Sequence, residues 1–236
     1  MGINSEIAHY FANVRKVPEN NAYWRNKRVY ISFGLGFQAI PFLFDLVHKC
    51  GISTDVLLQD DHVTLMETGF DKVGLYEKNE ISFHDFLTQC KLLLEGRVKQ
   101  FHLATDLFAV LSNKDTTYFQ FETKHKALAR SDSFLFTLVD LDVTDEWVAN
   151  FLPYWYSLAR PILLLDDFKD LEDDRRDQEE NMILELGDDA NAVMQAYDFG
   201  MQDLSTLAKV NPKLSTYIEA FFKKSLAMDH IRALLA

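Results

Sequence analysis

The chain has 236 residues, 48% hydrophobic and 25% charged, which excludes a disordered polypeptide and suffices for one large helical domain. A formal net charge of -12 repels phosphate backbones and excludes nucleic acid as a partner, while leaving room for a phosphorylated ligand bridged by divalent cations. Five Pro and nine Gly are too few for the turns of an all-β protein this long, and Cys50 and Cys90 make neither a disulfide framework nor a metal motif, which points to a reduced, cytoplasmic setting.

The start, Met1-Gly2-Ile3-Asn4-Ser5-Glu6, lacks the basic and apolar regions of a signal peptide, and Glu6 stands where a myristoylation pattern wants Ser or Thr. Ser5 to Val14 reads as a first short helix. Asn20 to Cys50 is largely apolar, but Gly34, Gly36 and Pro41 interrupt it, so a long, kinked or broken helix is expected. Gly51-Ile52-Ser53 reads as a stop followed by an N-cap for a helix over Thr54 to Thr68, with Gly69 to Glu80 a loop. Ser82 caps a helix from Phe83 to Leu111 that carries Phe83, Phe86, Leu87, Cys90 and Leu93-Leu94 on one stripe.

Asn113 to Arg130 reads as a further helix, Ser131-Asp132-Ser133 as a break, and Phe134 to Val139 as a helix or irregular segment. Thr144 caps the next helix, with Asp145 and Glu146 at the positive end of its dipole. It turns Trp147, Phe151, Trp155 and Leu158 inward and runs past Pro161, where a bend is expected, to Gln178. Asp188 to Val210 and Lys213 to Leu235 close the chain as amphipathic helices. The sum is an all-α fold of about eight helices in a single domain, residues 1–236, with no apolar run long enough to span a membrane. The 19 Phe fill its core or line a wide apolar cavity.

The segment Leu163-Leu164-Leu165-Asp166-Asp167-Phe168-Lys169-Asp170-Leu171-Glu172-Asp173-Asp174 carries the chemistry. On a helix, Asp166, Asp170, Asp173 or Asp174, and Asp177 share a face, and like charges at that spacing destabilise a bare helix by about 0.2–0.5 kcal/mol per pair. A solvated acidic face with Lys169, Arg175 and Arg176 as partners accounts for Glu172 to Glu180. It accounts less well for Asp166 and Asp167, which abut the apolar run Pro161 to Leu165. Carboxylates entering a core need partners or cations, and hard oxygen donors at this spacing suit Mg²⁺ completed by substrate phosphates.

Asp166-Asp167-Phe168-Lys169-Asp170, an Asp-Asp-x-x-Asp ending an apolar helical run and followed by Glu180-Asn181, resembles the second aspartate-rich motif of the class I isoprenoid synthases, the trans-prenyltransferase and terpene-cyclase superfamily. The resemblance implies an all-α bundle around an apolar pocket, with Mg²⁺ held by Asp166, Asp167, Asp170 and Asp174. It also implies an allylic prenyl diphosphate substrate ionised to a carbocation, with a lyase or transferase outcome; homodimerisation is compatible with it. The 66 residues after Asp170 match the two or three helices that close such a bundle.

The first carboxylate patch of that family is matched in part by Gln59-Asp60-Asp61-His62-Val63-Thr64-Leu65-Met66-Glu67, which offers Asp60 and Asp61 with Thr64 or Glu67 but no full motif; Asp45 and Asp106 are alternatives. Arg130 and Lys126, with Arg160 near Pro161, are the candidate diphosphate-binding groups, and Arg130 and Lys126 those assisting the leaving group.

Two other function classes fit parts of the chain. Glu6-Ile7-Ala8-His9 and Glu122-Thr123-Lys124-His125 match the Glu-x-x-His spacing of carboxylate-bridged di-iron bundles. An incomplete first patch fits a non-catalytic accessory or regulatory protein of the same fold. No Gly-rich phosphate loop, Gly-x-Ser-x-Gly elbow or zinc spacing supports a kinase, hydrolase or zinc enzyme.

Overall fold

Asn4 opens the chain's first helix in the way its side chain allows, accepting from the backbone N–H groups of Glu6 and Ile7. The computed structural model describes residues 1–16, 19, 21, 35–77, 80–121 and 124–236, with only the backbone of 35–37, 77, 130 and 133. Helix α1 covers Ser5–His9 and continues as a π-helical turn over Tyr10–Val14. It is followed by α2 (Leu35–Lys49), α3 (Thr54–Leu57), α4 (Asp60–Glu77), α5 (Phe83–Leu94) and α6 (Phe101–Val110). A 3₁₀ turn at Lys126–Leu128, α7 (Arg130–Ser133) and a 3₁₀ segment at Phe134–Leu138 lead into α8 (Asp145–Asp177). The chain closes with α9 (Met182–Leu186), α10 (Ala190–Leu207), α11 (Pro212–Ser225) and α12 (Asp229–Leu235). All regular structure among the described residues is helical, and no helix there is long and apolar enough to cross a membrane.

The count exceeds the expected eight because several long helices are divided. The Asn20 to Cys50 expectation lies partly outside the described residues; its described part, α2, keeps Pro41 in its interior. The helix expected over Thr54 to Thr68 is one turn, α3, followed by α4, which runs through Gly69 where a loop was expected. Leu65, Met66, Phe70 and Val73 recur at helical spacing and are buried, and Phe70 stacks on Phe134 at 4.1 Å. That packing outweighs the cost of about 1 kcal/mol for an interior glycine.

The Phe83 to Leu111 helix breaks instead at Gly96, whose φ of +73° suits a residue without a Cβ. Gln100 then restarts it, its side chain accepting from the N–H groups of His102 and Leu103. Among the described residues, the helix expected over Asn113 to Arg130 is absent before Lys126. The buried Asp106 carboxylate accepts from the backbone N–H groups of Thr117, Tyr118 and Phe119 at 2.6–2.8 Å, which binds those donors in a loop and denies them to helical carbonyls. Lys213 to Leu235 likewise divides into α11 and α12.

Two compact units result. One comprises Ile3–Phe121 and Asp132–Phe151, the other Met1–Gly2, Glu122–Ser131 and Leu152–Ala236. The first holds a buried polar cluster, with His62 Nδ1 2.8 Å from Asp140 and Arg97 3.2 Å from the other Asp140 oxygen. Burial alone would raise the Asp140 carboxyl, but the hydrogen bonds and charges of His62 and Arg97 bring it below its ordinary value. An apolar pocket in the same unit is lined by Leu65, Gly69, Phe86, Cys90, Phe134 and Phe136, among others. In the second unit Trp155, Tyr156, Leu158, Leu164, Phe168 and Leu171 of α8 are fully buried, and Phe168 packs edge-on to Phe222 of α11.

Candidate metal centre

Each residue along an α-helix turns about 100°, so the adjacent Asp166 and Asp167 cannot do the same thing. The buried face of α8 runs Leu164, Asp167, Phe168 and Leu171. Asp166, Asp173 and Asp177 are exposed, and Asp170 and Asp174 half-buried.

Asp167, 1% exposed, is engaged with the helix that follows: its Oδ2 accepts from the Met182 N–H at 2.9 Å, at the opening of α9. Asn181 completes the junction. Its Oδ1 caps α9 by accepting from the Ile183 N–H at 2.9 Å, and its Nδ2 donates to the Asp167 carbonyl at 2.7 Å and to Asp174 Oδ2 at 2.8 Å.

Positive charge already sits on the Asp166–Asp170–Asp174 face. Lys169 Nζ lies 2.7 and 2.8 Å from the two Asp170 oxygens. Its ammonium is held above its ordinary value, first by the hydrogen bond to Asp170, against the opposing effect of burial, and then by the charges of Asp170, Asp166 and Asp174. Asp170 pairs with this cation directly, and Asp166 and Asp174 contribute through their charge. Carboxylate oxygens are hard donors of the kind that suit Mg²⁺. Asp167, turned inward onto α9, is not part of this set. Farther along, Arg176 pairs with Asp173 and Asp177, and Arg175 with Asp188, which are surface ion pairs of small energetic consequence. Among the described residues no three His, Cys, Asp or Glu side chains converge as a ready-made ligand cage.

The expected diphosphate-binding groups fare differently from one another. Lys126, 80% exposed, lies 2.7 Å from Glu180 on the segment that follows α8. Arg160 is buried in a bidentate pair with Asp203 of α10, at 2.9 and 2.5 Å, with the rings of Tyr156 and Phe199 each 4.9 Å from its guanidinium carbon. The side chain of Arg130 lies outside the described residues; its backbone opens α7.

Asp60 and Asp61 open α4, in the other compact unit. There Asp60, Thr64 and Glu67 surround a guanidinium. Arg15 reaches Asp60 at 3.2 Å, Thr64 Oγ1 at 2.9 Å and both Glu67 oxygens at 3.1 and 2.7 Å. Glu67 is 1% exposed, and its hydrogen bond leads the interactions that raise the Arg15 guanidinium above its ordinary value. Asp61 is exposed, and its carbonyl accepts from Arg97 at 2.8 Å. Asp45 is fully buried between Lys49 Nζ and the Asn4 N–H, and Asp106 holds the loop described above.

For the di-iron spacing, Glu6 accepts from Thr54 Oγ1 while the His9 ring pairs with Asn13, so the two point to separate partners. Glu122 lies outside the described residues, and His125 pairs with Glu185 at 3.0 Å.

Two roles escape sequence reasoning, Asn181 as a helix cap and Arg15 as the partner of Glu67. Asn181 has a readable signal, an Asn directly before the apolar run Met182-Ile183-Leu184, the pattern of an N-cap. Lys169, read from the sequence as a partner of the acidic face, pairs with Asp170. Arg15 carries no local signal at all, since its partners lie 45 to 52 positions away. Compared with protein-family models, curated proteins and solved structures, the chain matches none of them.

Proposed function

We propose that the chain is a Mg²⁺-dependent enzyme of the class I isoprenoid-synthase type, a helical bundle around an apolar pocket, acting on an allylic prenyl diphosphate as a terpene cyclase or prenyltransferase. One observation carries the reading: Asp166, Asp170 and Asp174 follow the buried apolar run of α8 at i, i+4 and i+8, with Asp166 exposed and Asp170 and Asp174 half-buried. Asp166, Asp170 and Asp174 would hold the metal; Asp167 acts one step back, fixing α8 to the start of α9. Mg²⁺, when bound, supplies the charge that draws negative charge from a leaving diphosphate. Lys169, 63% exposed and paired with Asp170, would have to leave that carboxylate for a metal to be held there. Lys126, paired with Glu180, would turn to the phosphate oxygens, with Arg130 as the companion that the sequence suggests. Arg160, committed to Asp203, keeps α8 against α10 rather than meeting substrate.

A non-catalytic accessory protein of the same fold is the second reading. The observation favouring it is Arg15, which fills the Asp60 patch with a cation belonging to the chain itself. Incubation with geranyl, farnesyl and geranylgeranyl diphosphates and Mg²⁺, with and without isopentenyl diphosphate, decides between them. Mg²⁺-dependent diphosphate release that is lost in Asp166→Asn and Asp170→Asn supports the enzyme. Mg²⁺-dependent binding without turnover supports the accessory protein. Neither binding nor turnover refutes both.

A further inference from the structure

Asn4, at the head of α1, and the half-buried His48 of α2 share a hydrogen bond whose polarity is fixed by the bonds on either side of it. Asn4 Oδ1 is committed to the opening of α1, accepting from the N–H groups of Glu6 and Ile7 at 2.9 and 3.3 Å. The other end of that amide, Nδ2, therefore faces His48 Nε2 at 3.1 Å, and Nδ2 can only donate. Across the ring, His48 Nδ1 lies 2.9 Å from the Ile52 carbonyl, which can only accept, so Nδ1 carries the hydrogen. His48 is thus held as the neutral Nδ1–H tautomer with Nε2 the acceptor. A proton added at Nε2 would set two donors against each other. Asn4 cannot turn its amide over to meet it without giving up the cap of α1.

We propose that the Asn4–His48 pair is a pH-sensitive catch on α1: neutral His48 holds the helix to α2, and protonation loosens it. What the catch covers is apolar. Ile7 and Phe11 are buried, and Phe11 meets Phe44 of α2 edge-on at 5.1 Å, so a loosened α1 uncovers Phe44. The charged neighbours act in both directions. On α2 the Asp45 carboxylate, which also accepts from the Asn4 N–H at 2.7 Å, favours a charged ring, and Lys49, 2.6 Å from Asp45, opposes one. Glu6 of α1, engaged by Thr54, and Asp55 of α3 add negative charge. So does Glu146, beside Trp147, whose indole N–H donates to the Cys50 carbonyl at 2.8 Å. His9 of α1, paired with Asn13, and His62 of α4, paired with Asp140, are further imidazoles on the packed elements. These groups set the pH at which the His48 ring gains its proton; hydrogen-bond polarity sets which way α1 responds.

The test is backbone amide exchange of the full chain between about pH 8 and pH 5, the span in which imidazoles change charge, expressed as protection factors so that the chemical pH dependence drops out. Protection over residues 5–14 should fall about 3–10-fold on acidification, measured against α10 in the same samples, the effect of about one hydrogen bond. His48→Gln, with no imidazole at that position, should abolish the fall, whereas a fall caused by His9 or His62 would persist. Asn4→Asp keeps an oxygen to cap α1 and sets an acceptor opposite Nε2, so there protection should rise on acidification. A flat wild-type profile, a fall that survives His48→Gln, or a fall in Asn4→Asp equal to that of wild type overturns the proposal. Should Asn4→Asp not fold, ring-nitrogen NMR of the wild-type chain decides: His48 should be the Nδ1–H tautomer at the upper pH, and the Nε2–H form there overturns the catch.

Discussion

Replacing Asp166 and Asp167 one at a time by Ala should separate two neighbours that a sequence motif treats alike. Asp167→Ala removes the acceptor of the Met182 N–H, which is buried, and leaves that donor unpaired. Hydrogen bonds to a charged group contribute about 1.5–3 kcal/mol, and a stranded buried donor costs a similar amount. A loss of about 2 kcal/mol lowers Tm by about 4–8 °C in a chain of this size, at about 2–4 °C per kcal/mol. Asp166 is exposed, and its replacement should stay within about 0.5 kcal/mol, or about 2 °C.

The assay is thermal unfolding by circular dichroism, repeated by urea titration so that midpoint and slope are read separately. Asp167→Asn, which keeps an oxygen able to accept from Met182, should recover most of the loss. Equal destabilisation by Asp166→Ala and Asp167→Ala would refute the division of the pair into a surface group and a helix-junction group. The outcome also bears on tests of the proposed activity: a silent Asp167→Ala variant would be ambiguous, whereas a silent but stable Asp166→Ala would implicate the surface face.

Asp140 offers a pH test. Its carboxyl lies below its ordinary value in the fold, so its contribution is present above the unfolded value of about 3.9 and is lost as pH falls through the lower folded value. The difference in urea midpoint between wild type and Asp140→Asn should be full at pH 6 and shrink below about pH 4; a difference that is constant down to pH 3 would show that charge is not what holds the His62–Asp140–Arg97 cluster. Burial pushes the Cys90 thiol up to about 12, with a small opposing effect from Lys72, and the Cys50 thiol up to about 11. Native protein at pH 8 should therefore react with a thiol-specific disulfide reagent far more slowly than unfolded chain, with Cys90 the slower of the two by mass spectrometry. Gly200→Ala should destabilise by about 1 kcal/mol in urea titration, because a Cβ there would lie 2.5 Å from Phe222 Cζ and overpacking of about 1–3 kcal/mol exceeds the helix-propensity gain of about 1 kcal/mol.

The helical class was legible from scarce turn residues and from apolar spacing, and α8 was legible almost to the residue, from the Thr144 cap through both prolines. What failed had a common cause. Gly69 was read as a helix end because propensity is local, but Phe70 and Val73 bury on the far side of it. Asn113 to Arg130 was read as a helix because its composition permits one. The loop was decided by one carboxylate on another element, Asp106, with no periodicity to announce it.

The same limit shaped the candidate site. Helical spacing states which side chains share a face; it does not state what comes to meet them. Asp60, Thr64 and Glu67 do share a face, at the i, i+4, i+7 spacing of α4. A carboxylate as buried as Glu67 must still have a positive partner, and the chain supplies one from Arg15. Arg160 obeys the same necessity from the other side: a guanidinium on the core face of α8 needs a carboxylate, and Asp203 provides it. In both places burial decided the partner, and the partner removed a charge from the pool available to a ligand. On the α8 face burial is incomplete: Asp166 and Lys169 are exposed and Asp170 and Asp174 half-buried. That difference in exposure, more than the aspartate spelling, makes the α8 face the better candidate for a metal ion.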